Sequence, residues 1–561
     1  MSPSAKAAPP APLFTLTWSA LVRTPEGALK ALSGSRRAGA GPLHLAADLP
    51  AGQIVKISAE LPLITADHEK IFMNGYQTWT YCPEYTRKSG IRSLHFTPGF
   101  GVKKFRLDRY GDYHFIKDPI RPGKTHGFSY CYFRLGGHFR LFASLNEAPG
   151  YTVFRYDAGK NLLTLERDAE GLRTEGGPYP LFDLYIDAGS EEAVFDGWFA
   201  QLGLPARAAA PLAGYSSWYN RYENISEADI RQDLSGAARV LEKGDLFQID
   251  DGWEPAVGDW LVPDPVKFPN GLRPLVDDIH EKGFLAGLWL APFVCQLTSE
   301  VYRTHPDWLL LHDGEPWEAG SNWGGFAALD IDNPEVIAYM RETFRRVFDE
   351  WGFDLVKLDF LYAAAPYGTE HETRAGRMIR AMRFLREAAG EKLILGCGVP
   401  VMPAFGLVDY CRVSCDVGLD WDDTLIMKII HRERVSTHNA IFNSIFRRQL
   451  NGRAYGLDPD VFFLREDNLK LTPPQKSALA RVCALFGSVF LTSDDMSSYS
   501  EEQIRLYRRL RRLREAADVC VSADDARTVT VSYRLDGQPA SFTLPLSRHD
   551  SRKGKDGPFP L

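Results

Sequence analysis

The chain has 561 residues and a formal net charge of −7. This acidic balance argues against nucleic acids and anionic membranes as partners, because both need a basic face. No apolar stretch approaches the roughly 20 residues of a membrane-spanning helix, and the N-terminus lacks the apolar region of a secretory signal. The 8 cysteines show no C-x-x-C motif. We therefore expect reduced thiols in a cytoplasmic protein that could form a homo-oligomer.

The N-terminal third of the chain has a β pattern. Residues 1–12 are rich in Ala and Pro and are expected to be disordered. Across residues 13–205, short apolar or alternating segments such as 14–18 and 182–186 are separated by turn-forming Gly and Pro residues. This pattern predicts an antiparallel β-sandwich, followed by a linker helix over 191–201.

The sequence pattern changes over residues 206–505, where short buried strands alternate with amphipathic helices. The predicted strands cover 213–218, 245–250, 283–290, 355–360, 392–397, 410–416 and 489–492, with one more at either 440–446 or 461–464. The predicted helices cover 227–243, 272–282, 334–351, 373–389 and 473–485. Eight β-then-α units predict a central (β/α)8 TIM barrel. Residues 506–561 return to a β pattern and predict a small C-terminal antiparallel β domain, frayed from residue 548.

Two of the predicted barrel strands carry charges on one face. Lys357 and Asp359 lie two residues apart in one strand, and Arg412 and Asp416 lie on one face of another. Buried charges are costly unless they are paired or functional, and barrel active sites lie at the carboxyl ends of the strands. A structural Lys–Asp ion pair is one interpretation. The other is a glycosidase in which Asp359 and Asp416 supply the two carboxyl groups, by a retaining or an inverting route.

Other strand ends carry residues suited to a sugar. Asp250 and Asp251 could grip two neighbouring hydroxyl groups, and Trp253 could offer a wall for stacking, although Asp251 could instead cap a helix. Trp289 ends the third strand and could floor a pocket or fill the barrel. Cys397 lies between two glycines, where it could approach a ligand or serve as a small core residue.

These motifs together resemble the α-galactosidases of glycoside hydrolase family 36, in the clan shared with family 27. The matching segments are SWY at 217–219, IDDGW at 249–253, WLAPF at 289–293, HPDW at 305–308, KLDFL at 357–361, GCGVP at 396–400, RVSCD at 412–416 and NGYQTW at 74–79. The resemblance implies a melibiase-like, retaining exo-α-galactosidase that acts on small oligosaccharides by double displacement. It implies that Asp359 is the nucleophile and Asp416 the acid/base, without cofactor or metal.

The resemblance also assigns the sugar-binding residues. Asp250 and Asp251 would hold the 4- and 6-hydroxyls of galactose, and Lys357 would bind O3 and O4. Arg412 and Cys397 would lie near O2. Tyr219 and Trp289 would line the −1 subsite, and Trp79 would reach over from the β-sandwich to close it.

Four other interpretations remain open. Relatives of this family act on α-N-acetylgalactosaminides, which Cys397 near O2 disfavours, or act as transglycosidases. A metal-dependent barrel hydrolase could use Asp250 and Asp251 as ligands, but no histidine ends any securely placed strand. A non-catalytic sugar-binding protein would need neither Asp359 nor Asp416.

Overall fold

The computed structural model describes residues 14–91, 93–117, 121–205, 210–422, 431–523 and 528–545. Within these ranges the chain forms a β-sandwich, a central parallel barrel and a small C-terminal antiparallel sheet. The predicted fold class is therefore confirmed. The segments expected to be disordered at 1–12 and frayed from 548 lie outside the described residues.

The N-terminal part is a sandwich of two antiparallel sheets. The first sheet contains Phe14–Arg23, Leu29–Ala38, Gly52–Pro62, Lys124–Phe128, Tyr151–Asp157, Leu162–Asp168 and Arg173–Thr174, and the second contains Gly41–Leu49, Lys70–Met73, Glu84–Tyr85, Tyr130–Leu135, His138–Ser144 and Gly177–Gly189. Alternate side chains, among them Leu16, Ile57 and Leu163, point inward and form the sandwich core. Because strand side chains alternate between faces, this one-in-two burial fixes the register.

The central part is a barrel of parallel strands. Its strands are Leu212–Ser216, Leu246–Ile249, Leu285–Leu290, Leu355–Leu358, Leu393–Gly396, Tyr410–Arg412, a split seventh strand made of Gly456–Asp458 and Val461–Phe462, and Val489–Thr492. Each strand pairs with the next in parallel, and the last pairs with the first. The strands are buried on both faces, as expected where helices cover a parallel sheet.

The seventh strand differs from one of the two predicted placements. Residues 440–446 belong to the helix Thr437–Phe446, which is buried along its whole length and begins at Ser436, whose Oγ accepts a hydrogen bond from Asn439 N. The part at 440–446, AIFNSIF, is mostly apolar, and a short buried apolar run of this kind cannot be assigned to a helix or a strand by its pattern. The strand itself is broken: Gly456–Asp458 pairs with the sixth strand and Val461–Phe462 with the eighth. The placement at 461–464 is therefore confirmed in part.

The helices surround the barrel, and insertions extend its carboxyl end. The helices of the central part are Trp218–Arg221, Glu227–Ala237, Arg273–Glu281, Glu300–Thr304, Pro334–Arg345 with its continuation Arg346–Glu350, Arg374–Ala389, Thr437–Phe446, Pro473–Phe486 and Glu501–Leu513. The last of these runs across the predicted domain boundary at 505/506. Between the third and fourth barrel strands lies a small sheet of Val294–Gln296, Glu318–Gly320 and Phe326–Ala328.

Three further features complete the description. The linker helix Glu191–Leu202 follows the sandwich, and Gly99–Phe105 is a short helix within it. The C-terminal sheet consists of Ala517–Ser522, Thr528–Leu535 and Gln538–Pro545. Within the described residues, every helix is too short or too polar to cross a membrane.

A buried arginine joins the sandwich to the barrel. Arg447 is 0% exposed and donates hydrogen bonds to Asn74 Oδ1 at 3.1 Å and to the carbonyl oxygen of Val413 at 2.8 Å. Thr78 N also donates to Val399 O at 2.9 Å. A buried guanidinium needs several acceptors to offset its lost hydration. This contact therefore fixes segment 74–80 against the carboxyl end of the barrel.

Candidate active site

A cavity of about 700 Å³ lies at the carboxyl ends of the barrel strands. On its barrel side it is lined by six of the residues singled out from the sequence: Asp250, Asp251, Trp289, Lys357, Asp359 and Asp416. The parallel strands all end at this edge, which brings together residues that are far apart in the sequence.

Asp359 directly follows the fourth strand and is 8% exposed. Its Oδ2 accepts a hydrogen bond from Trp289 Nε1 at 3.2 Å, and its Oδ1 accepts one from the backbone N–H of Phe360 at 2.8 Å. Phe360 has a φ of 53°, so the chain turns sharply just after the strand. The two donors hold the carboxylate of Asp359 in one orientation at the cavity wall.

Asp416 lies four residues beyond the last residue of the sixth strand. Its Oδ1 accepts a hydrogen bond from Arg412 Nη1 at 3.0 Å. Burial and the neighbouring carboxylate of Asp460 together raise the pKa of Asp416 to about 7, against the opposing effects of Arg412 and Lys357. A carboxyl group with this pKa can hold a proton near neutral pH and release it during a reaction.

Lys357 is paired with Asp250 and not with Asp359. Its Nζ donates to Asp250 Oδ2 at 2.9 Å, across from the fourth to the second strand. Burial opposes the charged form of Lys357, yet the carboxylates of Asp250 and Asp359 together raise its pKa. Lys357 and Asp359, which the sequence suggested as a possible ion pair, therefore belong to a wider network. The direct ion pair in this network is the one between Lys357 and Asp250.

Asp250 is further fixed by neutral donors. Its Oδ2 also accepts hydrogen bonds from Gln248 Nε2 at 2.7 Å and Ser216 Oγ at 3.2 Å. Its backbone N–H donates to Ser217 Oγ at 2.9 Å. A carboxylate with this many fixed partners presents a rigid acceptor to a ligand.

Asp251 has a different environment from its neighbour. Its Oδ2 accepts a hydrogen bond from Trp323 Nε1 at 2.8 Å. Burial raises the pKa of Asp251 well above its ordinary value, and the side chain of Glu254, hydrogen-bonded to it, raises it further. Asp250 and Asp251 thus offer a ligand two kinds of group, an ion-paired carboxylate and a carboxyl that favours its protonated form.

Arg412 is the centre of a network that the sequence did not reveal. Its guanidinium contacts Asp416, and also Asp458 Oδ2 at 2.9 Å and Asp460 Oδ1 at 3.0 Å. Tyr219 donates its OH to Asp460 Oδ2 at 2.6 Å. Arg412 and Tyr219 therefore lie behind the cavity wall, where they hold the acidic groups in place. Both were expected to contact the sugar.

Trp79 reaches the cavity from the sandwich, as the resemblance implied. Its Nε1 donates to Cys397 Sγ at 3.3 Å, and its ring packs edge-on against Phe360 at 5.1 Å between centroids. A Cβ at Gly398 would lie only 2.7 Å from the Trp79 ring, so the backbone approaches the indole more closely than another residue would allow. Cys397 itself is fully buried behind Trp79.

Trp253 is located differently from our expectation. It is 0% exposed, packs between Trp260 and Trp351, and donates Nε1 to the carbonyl oxygen of Trp289 at 2.9 Å. It therefore supports Trp289 from behind and offers no ring face for stacking. Gly252, at a φ of 112°, turns the chain so that Trp253 points away from the cavity.

Several lining residues carried no recognisable sequence signal. Trp323 comes from the insertion between the third and fourth strands, and its ring lies 6.0 Å from that of Trp289. Thr97, Phe105 and Tyr110 come from the sandwich. They reach the cavity only through tertiary contacts, which no local pattern records.

No group of three or more His, Cys, Asp or Glu side chains within the described ranges is arranged to hold a metal ion. All 8 cysteines are free thiols, and only Cys520 is exposed. Buried thiols without a partner are inert packing groups. The chemical groups of the cavity are thus its carboxyl groups, the cations Lys357 and Arg434, the imidazole of His431 and its aromatic walls.

Comparison with known proteins agrees with this geometry. The family model for melibiase matches residues 216–385. An α-galactosidase from Escherichia coli is 27% identical over 299 residues, and the match covers 51% of this chain and 39% of that protein. AgaA, an α-galactosidase from Geobacillus stearothermophilus, is 29% identical over 31% of this chain and 25% of its own length. The chain thus spans less than half the length of these curated relatives.

Solved structures match over a larger share. TtGalA, an α-galactosidase from Thermus thermophilus in complex with p-nitrophenyl α-D-galactopyranoside, has a TM-score of 0.69 and 28% identity, and the match covers 89% of this chain and 98% of that one. AgaA, a glycoside hydrolase family 36 enzyme, shares the fold with a TM-score of 0.57 at 15% identity, over 90% of this chain and 72% of its own. The chain therefore resembles the α-galactosidases of glycoside hydrolase family 36 and matches the melibiase model over residues 216–385.

Proposed function

We propose that the protein is a retaining exo-α-galactosidase that removes terminal α-linked galactose from small oligosaccharides. The observation that carries the proposal is the pairing of two differently held aspartates on one cavity wall. Asp359 is oriented by two N–H donors. The pKa of Asp416 is raised to about 7 by burial and by Asp460. Two carboxyl groups in distinct environments are what a glycosidase needs for its nucleophile and its acid.

The reaction would proceed in two displacements. Asp359 attacks the anomeric carbon while Asp416 gives its proton to the departing glycosidic oxygen, which leaves a galactosyl ester on Asp359. Ester formation removes the negative charge of Asp359, and this favours the ionised form of Asp416 for the second step. Asp416 then takes a proton from water, which attacks the anomeric carbon and releases galactose.

The polar wall suits a galactose ring. The Lys357–Asp250 pair and the carboxyl of Asp251 offer a donor and acceptors side by side, which suits neighbouring hydroxyls such as O3, O4 and O6. The rings of Trp289 and Trp323 add flat apolar surface next to them. The TtGalA relative was solved with stachyose, an oligosaccharide ligand that fits this proposal for the present chain.

A panel of nitrophenyl α-glycosides tests the proposal. We expect turnover of the galactoside and far slower turnover of the glucoside and of the N-acetylgalactosaminide. The variant Asp416→Asn should lose much more activity on melibiose than on the nitrophenyl galactoside, because nitrophenolate leaves without an acid. Absence of turnover of every galactoside would refute the proposal, and preference for the N-acetylgalactosaminide would reassign the substrate.

A further inference from the structure

We propose that Asp460 is a positioning residue that keeps the acid Asp416 protonated until the glycosidic bond breaks, and that the break in the seventh barrel strand places it for this role. The inference rests on the proposed function, because it assigns Asp416 the part of acid/base. Asp460 itself does not line the cavity wall. It acts on the reaction through Asp416 and Arg412.

The break in the strand fixes the position of Asp460. Gly456–Asp458 ends against the sixth strand, and Pro459 has no N–H to continue the ladder. Asp460 then adopts a φ of 79°, in the left-handed region that an aspartate rarely occupies. Its own N–H donates to Asp458 Oδ1 at 2.9 Å, which stabilises this turn.

Asp460 is held as a carboxylate by three groups. Its Oδ2 accepts hydrogen bonds from Tyr219 OH at 2.6 Å and from Val417 N at 2.8 Å, and its Oδ1 lies 3.0 Å from Arg412 Nη2. Among the described residues, the carboxyl group of Asp416 receives a hydrogen bond only from Arg412. Hydrogen bonds to the ionised form favour that form. Burial also raises the pKa of Asp460, but Arg412, Tyr219 and the N–H of Val417 oppose this effect. Because Asp416 has only one such donor, the proton for which the two carboxyl groups compete stays on Asp416.

A count of charges leads to the same conclusion. A single guanidinium, that of Arg412, contacts the carboxyl groups of Asp416, Asp458 and Asp460. Within the described residues, the cations Lys357 and Arg434 also line the cavity, and they are already paired with Asp250 and Asp422. Asp458 and Asp460 are buried, and the side chain of Asp416 is 34% exposed at the cavity. Three carboxylates around one positive charge repel one another, which favours uptake of a proton by one of them. The most weakly held of the three is Asp416.

Asp416 faces charged and titratable groups from several barrel elements. Arg412 ends the sixth strand, which precedes Asp416, and Cys415 is the residue just before Asp416. The others are Lys357 and Asp359 at the end of the fourth strand, Asp460 in the break of the seventh, Tyr219 and Tyr222 beyond the first, and Cys397 beyond the fifth. Burial raises the pKa of the phenols and thiols, which keeps them neutral in the working range. Asp460 is the fixed negative group that is close to Asp416 and takes no covalent part in the reaction.

Asp458 provides a matched control. Like Asp460 it is fully buried and contacts Arg412, at 2.9 Å through Nε. However, it pairs with the side of the guanidinium away from Nη1, which binds Asp416. Asp458→Asn should lower activity by disturbing Arg412 without changing the titration of Asp416. Asp460→Asn removes a negative charge of the same size from the side next to Asp416.

The test compares the pH dependence of kcat/KM for Asp460→Asn, Asp458→Asn and the wild type, with melibiose as substrate, because its sugar leaving group needs the proton of Asp416. We expect the alkaline limb to move to lower pH by about one unit in Asp460→Asn and to stay in place in Asp458→Asn. Tyr219→Phe, which removes one donor from Asp460 Oδ2, should shift the limb in the same direction by less. An unmoved limb in Asp460→Asn, or equal shifts in both aspartate variants, would overturn the proposal.

A second readout does not depend on catalysis. In pH-difference infrared spectra, the protonated carboxyl band of Asp416 is the one that disappears in Asp416→Asn. The pH at which this band has lost half of its intensity should be lower in Asp460→Asn than in the wild type, even in a protein that hydrolyses no galactoside. If galactoside turnover is absent while the midpoint shifts, the proposed function fails and the role of Asp460 stands. If turnover is present and the midpoint is unchanged, the role of Asp460 fails.

Discussion

Replacement of Lys357 by methionine tests the pairing at the centre of the site. Methionine keeps most of the apolar length of the side chain but leaves the buried carboxylate of Asp250 without its cation. Loss of one partner from a buried ion pair costs about 3–5 kcal/mol. Because Gln248, Ser216 and Asp251 N still donate to Asp250, we expect the lower end, about 3 kcal/mol, in the free energy of unfolding.

A double-mutant cycle distinguishes Asp250, which pairs directly with Lys357, from Asp359, which does not. The charged hydrogen bond of 2.9 Å between Lys357 and Asp250 should give a coupling energy of about 1.5–3 kcal/mol between Lys357→Met and Asp250→Asn. The matched cycle with Asp359→Asn should give a smaller value, because Asp359 acts on Lys357 only through its field. Urea unfolding followed by far-UV circular dichroism supplies the four free energies of each cycle.

The kinetic effect follows from the same contact. If Lys357 also binds the sugar, Lys357→Met loses one charged hydrogen bond in the transition state, which lowers kcat/KM by roughly 10- to 150-fold. The reasoning is refuted if the Asp250 cycle is additive, or if the coupling with Asp359 is the larger one. Either result would restore the ion pair between sequence neighbours that the strand pattern first suggested.

Two further predictions concern residues away from the reacting carboxyls. Trp253→Phe should lower the free energy of unfolding by about 1–3 kcal/mol and leave kcat/KM nearly unchanged. Trp289→Phe removes the hydrogen-bond donor to Asp359 and should lower kcat/KM at least about tenfold. A similar loss of kcat/KM in both variants would contradict the placement of Trp253 behind the cavity. Burial raises the pKa of Glu147 to about 7 in the folded protein. The folded state thus binds more protons than the unfolded state between about pH 4.5 and 7, and stability falls as pH rises through this window. Glu147→Gln should therefore gain up to about 3 kcal/mol over the wild type between pH 5 and 8; a constant difference in urea unfolding would contradict this.

The barrel could be predicted because its strands are buried on both faces and end in charged residues. Runs such as 355–360 combine apolar residues with Lys357 and Asp359, and this departure from a plain core strand marks a functional strand end. The seventh strand could be predicted only in part, because it consists of two short pieces separated by Pro459 and Asp460. Neither piece is long enough to show a period, while the buried helix Thr437–Phe446 imitates a strand.

Residues whose own side-chain chemistry marks them as functional could be predicted from the sequence. Roles that depend on tertiary contacts could not. Asp359, Asp416, Asp250 and Asp251 all line one cavity. The partner of Lys357 depends on which strands lie side by side, and the sequence pointed to its neighbour Asp359 instead of Asp250. Trp253 has the composition of a stacking wall, yet its direction is set by the turn at Gly252.

Rescue of Asp359→Ala by azide is the most direct test of the central claim, that Asp359 attacks the anomeric carbon. With the nitrophenyl α-galactoside as substrate, azide fills the space left by the carboxylate and attacks from the same side. We predict that azide restores turnover and that the anomeric proton coupling in the NMR spectrum identifies the product as β-galactosyl azide. Formation of the α-azide, or full activity of Asp359→Ala without azide, would contradict the account.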